Sequence, residues 1–530
     1  MTTTSAQPAG GPLLPGPRPT LLDRWTARLR ADPRLERRWR WLAPLLVTLV
    51  AGILRVWNLG HPHELVFDET YYVKDAWTQW SLGFSASWPD EADARFVAGE
   101  TGIFDTTGSF VVHPPLGKLL IGAGMALFGA DSSFGWRIAV AVFGTATVLV
   151  LYLVAKALTG SMPFAVVASG LLAVDGLGIV MSRVALLDIF LAFFVLTAFW
   201  FVVLDRQRSL PRLEAAIAAR THDGVAPTWG PVLWNRPWLV AAGAAVGAAT
   251  AVKWSGLYVA AGLGVYLVVS DAVTRRRAGV VLWPTDAAFR QGLATFVLFI
   301  PVAVTVYLTS WTGWLVTDDG YGRHAITDAS TGSADAGFWS WVPLPLQNLW
   351  AYHQQIYGFH VGLTSDHGYA SPAWQWPLLL RPTSMHFDNS GDGIVENIYS
   401  MPNPLIWFGG VAAVVFLAVR FVMTRDWRFA LVLTGVGVTY VPWLLYPERT
   451  IFQFYTIAIL PFVILALAFA LRAIASPSGG DMYRRATGQR LVWVFLIVAL
   501  ALSAFWYPII TATPVPYDFW RVHNWLPTWV

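Results

Sequence analysis

The chain of 530 residues is 55% hydrophobic and only 13% charged, with a mean hydropathy of +0.51, which is more apolar surface than a soluble domain can bury. Its net charge is +4, but the arginines cluster between apolar runs, a pattern that points to membrane topology and away from a nucleic-acid partner. There is no cysteine, which excludes disulfides, a thiol nucleophile and a Cys-ligated metal.

The N-terminus is Pro/Gly-rich to about Pro19 and Arg-dense to Arg40, too long a lead for a cleaved signal peptide. Residues 1–41 are therefore expected to form a cytoplasmic tail. Apolar runs of roughly 18–22 residues then recur, the length that crosses the hydrocarbon layer as a helix. They cover 42–59, 136–158, 163–181, 186–204, 238–252, 255–270, 291–315, 403–423, 429–446, 451–472 and 491–511, about eleven spans in an all-α polytopic membrane protein. With the tail inside, alternation puts Arg206 to Arg236, Arg275 to Arg290, Arg425 to Arg428 and Arg472 to Arg490 on the cytoplasmic side, as the positive-inside tendency requires. It puts two long loops outside, 60–135 and 316–402, both rich in Trp, Tyr, His, Asp and Pro. The stretch 114–130 is apolar but interrupted by Lys118, and is expected to lie as a helix at the outer interface. The division is a tail (1–41), an N-terminal membrane module (42–315) containing the loop 60–135, the outer loop 316–402, and C-terminal spans with a short outer tail (403–530). No internal repeat is evident, which argues against an inverted-repeat transporter.

Three constellations carry chemistry. Asp68 and Glu69 are adjacent carboxylates among Phe67, Tyr71 and Tyr72 just after the first span. Charge at such a depth is costly and usually functional, although an N-cap with an acidic first turn accounts for the same residues. His113, Pro114, Pro115 and Lys118 form a second group, readable either as a rigid turn with a snorkelling lysine or as a turn that aims Lys118 at a phosphate. Arg55, Arg137, Arg183, Lys253 and Arg449 all fall at the outer edge, where the positive-inside tendency predicts few cations. Five on one face argue for a shared anionic ligand such as a lipid phosphate. A sugar leaving a prenyl phosphate needs a base for the acceptor hydroxyl and cations for the departing phosphate, and in-line attack inverts the anomeric centre with one carboxylate.

These residues, in order Phe67-Asp68-Glu69, His113-Pro114-Pro115-Leu116-Gly117-Lys118, Arg137, Ser182-Arg183-Val184-Ala185-Leu186-Leu187-Asp188, Val252-Lys253-Trp254-Ser255-Gly256-Leu257 and Trp374-Gln375-Trp376-Pro377-Leu378, resemble the protein O-mannosyltransferases, their bacterial members most closely. The resemblance implies a GT-C glycosyltransferase fold, a polyprenyl-phosphate-mannose donor and an acceptor polypeptide with Ser or Thr hydroxyls emerging from the export translocon in the plasma membrane. By motif, Asp68 matches the catalytic base, Glu69 its partner in substrate positioning, Arg137 the arginine associated with the donor phosphate and Arg55 a membrane arginine near the site. Arg449, Gln453 and Tyr455 occupy a segment that lines the donor site in the family, but the segment reads differently here from its eukaryotic form. No metal or cofactor is implied. The β-trefoil of eukaryotic members has no room in 316–402, where Trp350, Tyr352, His353, His360, His367 and Trp374 suit an interfacial aromatic belt or an acceptor surface. A related transferase acting on a lipid or cell-wall glycan shares the same donor half. A polyprenyl-lipid transporter would instead use mid-membrane charges, for which Asp175 and Asp188 are the candidates.

Overall fold

In the computed structural model the described residues are 19–529 apart from 222–224, 226, 328–340, 390 and 478–481; most of the Pro/Gly-rich start therefore lies outside them. The Arg-dense segment is helical. Leu21–Ala31 is capped by the Thr20 hydroxyl, which accepts from the Asp23 amide, and the first long helix, Pro33–Val56, is capped by Asp32, which accepts from Arg34 and Leu35, with Pro33 at its first turn.

Eight helices among the described residues are long and apolar enough to cross a membrane: Pro33–Val56, Ser133–Thr159, Asp188–Ala218, Gly256–Arg277, Trp283–Ser310, Pro404–Thr424, Trp427–Leu445 and Met482–Trp506. Three of the eleven expected spans are shorter apolar helices instead, Met162–Val174, Pro237–Val252 and Leu460–Ala475. Each is shortened by a break that the sequence places at its end. Asp175 stops the first and caps the short helix Gly176–Val180 through the Gly178 amide; Lys253 is extended at the end of the second; and a 3-10 turn over Gln453–Ala458 precedes the third. The fourth short apolar helix, Leu116–Phe128, has 13 residues, about 20 Å of rise, too little to span the hydrocarbon layer.

Segments 60–135 and 316–402 fold together over one end of the bundle. Glu69–Leu82 packs on Leu116–Phe128. The helix Leu344–Gly362 buries Leu349, Tyr352 and Ile356 against Trp311, Trp314 and Phe84, while the Tyr352 hydroxyl donates to the Val111 carbonyl. The chain is mostly helical, as expected, with one small sheet added. Strands β1 (Thr383–Asn389) and β2 (Ile394–Ser400) form an antiparallel hairpin, and β3 (Val515–Pro516) adds to the β2 edge. Gly391 and Gly393 at positive φ make its turn possible. The hairpin is pinned to the loop after the first long helix by two pairs, His61 with Glu396 (2.8 Å) and His386 with Glu64 (2.5 Å). The opposite end carries Arg-rich connectors fixed by buried ion pairs, Arg236 with Asp205 and Arg275 with Asp286.

The central packing depends on small residues. Pro237–Val252 lies against Gly292–Ser310 at backbone distance because Gly243 and Gly247 face it. A Cβ on the first would sit 2.5 Å from the Phe299 carbonyl oxygen, and on the second 2.4 Å from that of Ala303. Gly247→Val is therefore expected to lower the apparent unfolding midpoint in detergent, by overpacking worth at least about 1–3 kcal/mol. Gly264→Ala, where nothing lies within 4 Å of the added carbon, is expected to leave the midpoint unchanged or slightly raised.

Candidate active site

The two adjacent carboxylates part company in the fold. Glu69 is fully buried and makes four internal hydrogen bonds: from Arg137 Nε (2.9 Å) and Nη2 (2.8 Å), from the Ala185 amide (2.7 Å) and from the Val66 amide (3.0 Å). Asp68 occupies the cap position of Glu69–Leu82 in αR geometry, yet its side chain makes no capping bond. The N-cap reading therefore fails for Asp68 itself, whose carboxylate remains free. Burial pushes that carboxyl up to about 6, Lys253 acting downward and Asp188 upward on it.

Lys253 and Asp188 line a cavity of about 250 Å³ at the same end of the bundle. Lys253 Nζ binds both Asp188 oxygens at 2.9 and 2.8 Å and stands 4.9 Å from the Tyr455 ring centre. Around this pair the polar wall is completed by His113, His360, Arg449 and Tyr455, while Leu191, Val195, Leu257, Val259, Val438 and Ala458 continue it as an apolar wall. A cavity polar at one end and hydrocarbon-lined at the other has the character of an amphiphile site.

The outer-edge cations do not all converge on it. Arg55 uses all five of its N–H groups inside the protein, on the Ser182 hydroxyl and the carbonyls of Ala51, Leu172, Ala173 and Gly178. Arg137 likewise uses all five, on Glu69 and the carbonyls of Leu59, Pro62 and Glu64. Arg183 holds the carbonyls of Arg55, Trp57 and Asn58. Lys118 is sealed against Asp75 at 3.2 Å. None of these four lines the cavity; each is engaged within the protein. Lys118 holds a carboxylate and Arg137 holds Glu69, and the remaining bonds of the three arginines go mostly to backbone carbonyl groups of the kind left open where helices end.

Arg449 is different. It donates to His360 Nδ1 at 3.0 Å and stacks 5.5 Å from the Trp443 ring centre, but its Nε has no partner and no carboxylate pairs with it among the described residues. His360 donates its Nε2 hydrogen to the Val112 carbonyl (2.8 Å), so Nδ1 is free to accept; burial and the Arg449 charge hold the imidazole down to about 4, neutral. Gln453 is fully buried beside Thr456, its Nε2 donating to Thr456 Oγ1 at 3.2 Å, and does not line the cavity. Pro114 and Pro115 are buried at the start of Leu116–Phe128 and set the approach of His113.

The sequence placed Asp188 in a family motif and His360 in an aromatic belt or acceptor surface, but named neither as part of the donor site. Apart from closing that motif, Asp188 was weighed as a transporter charge, although its place opposite Lys253 at one membrane edge is a signal for a pair. Of the aromatics in 316–402, Trp350 and Trp374 are exposed, whereas Tyr352 is buried in the core and His353 is engaged by the Tyr307 hydroxyl and the Leu349 carbonyl. No cluster of three or more His, Asp or Glu able to hold a metal occurs among the described residues.

The division between Glu69 and Asp68 has a measurable consequence. Glu69→Gln leaves the Arg137 charge buried and unpaired, a change expected to cost on the order of 3–5 kcal/mol and to lower the unfolding midpoint. Asp68→Asn is expected to unfold with the wild type.

Comparison with known proteins places the chain in a family. Residues 45–316 match the family described as dolichyl-phosphate-mannose-protein mannosyltransferase, and residues 345–529 match the C-terminal four-transmembrane region of protein O-mannosyltransferases. The chain is 33% identical to the polyprenol-phosphate-mannose–protein mannosyltransferase of Mycolicibacterium smegmatis (strain MKD8), over 93% of this chain and 94% of that protein. It is 30% identical to the Mycobacterium tuberculosis protein of the same name, over 93% of each. In fold it is similar to the Saccharomyces cerevisiae protein O-mannosyltransferase Pmt1–Pmt2 complex bound to the sugar donor, with a TM-score of 0.68 over 92% of each chain at 17% identity. The fold is that of the GT-C glycosyltransferases, and the chain belongs to the dolichyl-phosphate-mannose-protein mannosyltransferase family.

Proposed function

We propose that the protein transfers mannose from polyprenyl-phosphate-mannose to Ser or Thr hydroxyls of secreted or membrane polypeptides. The observation that carries this reading is a carboxylate, Asp68, with no side-chain capping bond and within electrostatic reach of Lys253 and Asp188, which line a cavity cationic at one end and apolar along its length. The prenyl chain lies along Leu191, Val195, Leu257 and Val438, and the phosphate meets Arg449 and Lys253. The acceptor oxygen attacks C1 of mannose from the face opposite the phosphate while Asp68 takes its proton. As the C1–O bond breaks, its electron pair goes to the phosphate oxygen, and the products are inverted mannosyl-Ser or -Thr and polyprenyl phosphate. No group in this scheme needs to act as a strong acid, because a phosphate is already a good leaving group once its charge is met.

In this reading the site faces away from the cytoplasm, the Arg-dense N-terminus lies inside and the protein sits in the plasma membrane, with acceptors delivered by the export translocon. The Glu69–Arg137 pair serves the reaction by fixing the turn that presents Asp68, and Arg55 and Arg183 brace the chain leading into it.

Two outcomes test the roles. With purified protein, polyprenyl-phosphate-mannose and a Ser/Thr-rich peptide, Asp68→Asn abolishes transfer. For the wild type, kcat/KM falls about tenfold per pH unit below the Asp68 pKa, because the carboxylate must be ionised to accept a proton, and levels off above about 6. Arg449→Met raises the KM for the donor about 10–100-fold, the loss of one charge-assisted contact. Arg449→Lys recovers part of that loss, since the charge remains and the forked geometry does not.

A further inference from the structure

His113 stands between two cavities. On one side it lines the donor cavity already described, and on the other a pocket of about 20 Å³ walled by Gln79, Phe84, Ser85, Ser109, Trp311 and Tyr352, among others. Three polar atoms from three separate segments around that pocket are sealed from solvent with no hydrogen-bond partner among the described residues: Gln79 Oε1, His113 Nδ1 and Trp311 Nε1. Gln79 and Trp311 are 5% and 2% exposed. The Gln79 amide nitrogen is already engaged, donating to Ser85 Oγ at 2.8 Å, which fixes the orientation of the amide and leaves its oxygen as an acceptor. Trp311 Nε1 can only donate. Its neighbour Tyr307 already accepts from Trp254 and pairs with His353, and makes no hydrogen bond of good geometry with Trp311.

Leaving three such atoms unmet is costly, and buried polar groups in folded proteins are almost always satisfied by protein or by ordered water. The size of the pocket selects the guest. About 20 Å³ admits a single water and excludes a sugar or a phosphate. We infer that one ordered water bridges Gln79, Trp311 and His113 and thereby fixes the imidazole of His113 with its proton on Nε2, directed at the donor cavity. The inference rests on the mannosyl-transfer reading only for the identity of what His113 meets there.

The hydrogen-bond arithmetic of the three partners is restrictive. The water accepts from Trp311 Nε1–H, which leaves it two protons to give. Gln79 Oε1 and His113 Nδ1 are the two remaining groups of the triad that can accept them. A proton on Nδ1 would leave one water proton without an acceptor in the triad. The ring must also stay neutral for Nδ1 to accept; burial, followed by the charges of Lys253, His360, Lys118 and Arg449, holds it well below the ordinary histidine range. Nε2 is neither bonded to protein nor sealed. A neutral N–H aimed at the cavity donates to an oxygen of the bound phosphosugar without adding a further charge, and is a positioning group beside Arg449 and Lys253.

The test has a structural and a kinetic arm. A density map of the full-length protein in lipid nanodiscs, at a resolution that shows waters, is expected to place one water within hydrogen-bonding distance of all three atoms. Imidazole ¹⁵N shifts, with the His113 signals assigned by their loss in His113→Asn, are expected to report the Nε2–H tautomer. Gln79→Met and Trp311→Phe, which take one partner each from the pocket and leave the donor cavity untouched, are expected to mix the tautomers. In the kinetic arm His113→Gln, whose amide nitrogen can reach the Nε2 position, keeps a donor KM within a few-fold of wild type, while His113→Asn, whose amide stops at Nδ1, raises it at least about tenfold. An empty pocket in the density, an Nδ1–H tautomer, or equal losses for Gln and Asn overturns the proposal. The map and the ¹⁵N shifts are read without donor or acceptor, so they stand even if the protein transfers some other sugar or none.

Discussion

A carboxylate buried with no exposed surface needs hydrogen-bond donors or a cation in the same place, and the Glu69–Arg137 pair supplies both while tying three segments together. Through Glu69 the pair reaches the amides of Val66 and Ala185; through Arg137 it reaches the carbonyls of Leu59, Pro62 and Glu64. The chain leaving the first long helix is thus clamped to the start of Ser133–Thr159 and to the loop before Asp188. Asp68 is the next residue along, and its backbone can go nowhere else. The proposed base is held by its neighbour's ion pair without being part of it, so its own oxygens stay available and its pKa is set mainly by burial.

The arginines illustrate a use of charge that hydropathy and spacing do not reveal. Each helix end leaves backbone carbonyls without partners, and a break inside apolar surroundings makes that shortfall expensive. Asp175 ends Met162–Val174 within the bundle, and the carbonyls of Leu172 and Ala173 so exposed are taken by Arg55. Arg183 does the same for the end of the first long helix. An arginine suits the task because its five donors fan out in a plane. Arg449 is the exception: it has no carboxylate and one unmatched N–H group, and it faces a cavity. Among the described outer-edge arginines it is the one that lines the cavity, and that suits it to an external anion.

Much of this was legible in the sequence. Long charge-free runs announced the helices, and the motif order announced the family. Asp68 stood out because charge among aromatics at a membrane edge is costly, although a helix cap accounted for the same pair. The residues alone did not say which of two adjacent carboxylates would be free, since Asp68 and Glu69 differ only in which side of a helix start they face; the motif resemblance was what singled out Asp68. Nor could spacing tell Arg55, Arg137 and Arg183 from Arg449, because their partners are carbonyl groups whose direction depends on where helices break. The hairpin of β1 and β2 was missed for a different reason. Gly391-Asp392-Gly393 is a turn signal, but an apolar composition overall drew the reading toward helices, and the hairpin is anchored by long-range His61–Glu396 and His386–Glu64 pairs with no local signature.

The central claim is that the carboxylate and the cation that do the chemistry are Asp68 and Arg449, while Glu69, Arg137, Arg55 and Arg183 build the frame. The most direct measurement is a structure of the full-length protein with polyprenyl phosphate bound. The account predicts phosphate oxygens about 3 Å from the Arg449 guanidinium, beside Lys253 and His113, with Arg137 still on Glu69. A phosphate seated on Arg137 or Arg55, with the Glu69 pair opened to receive it, would contradict it.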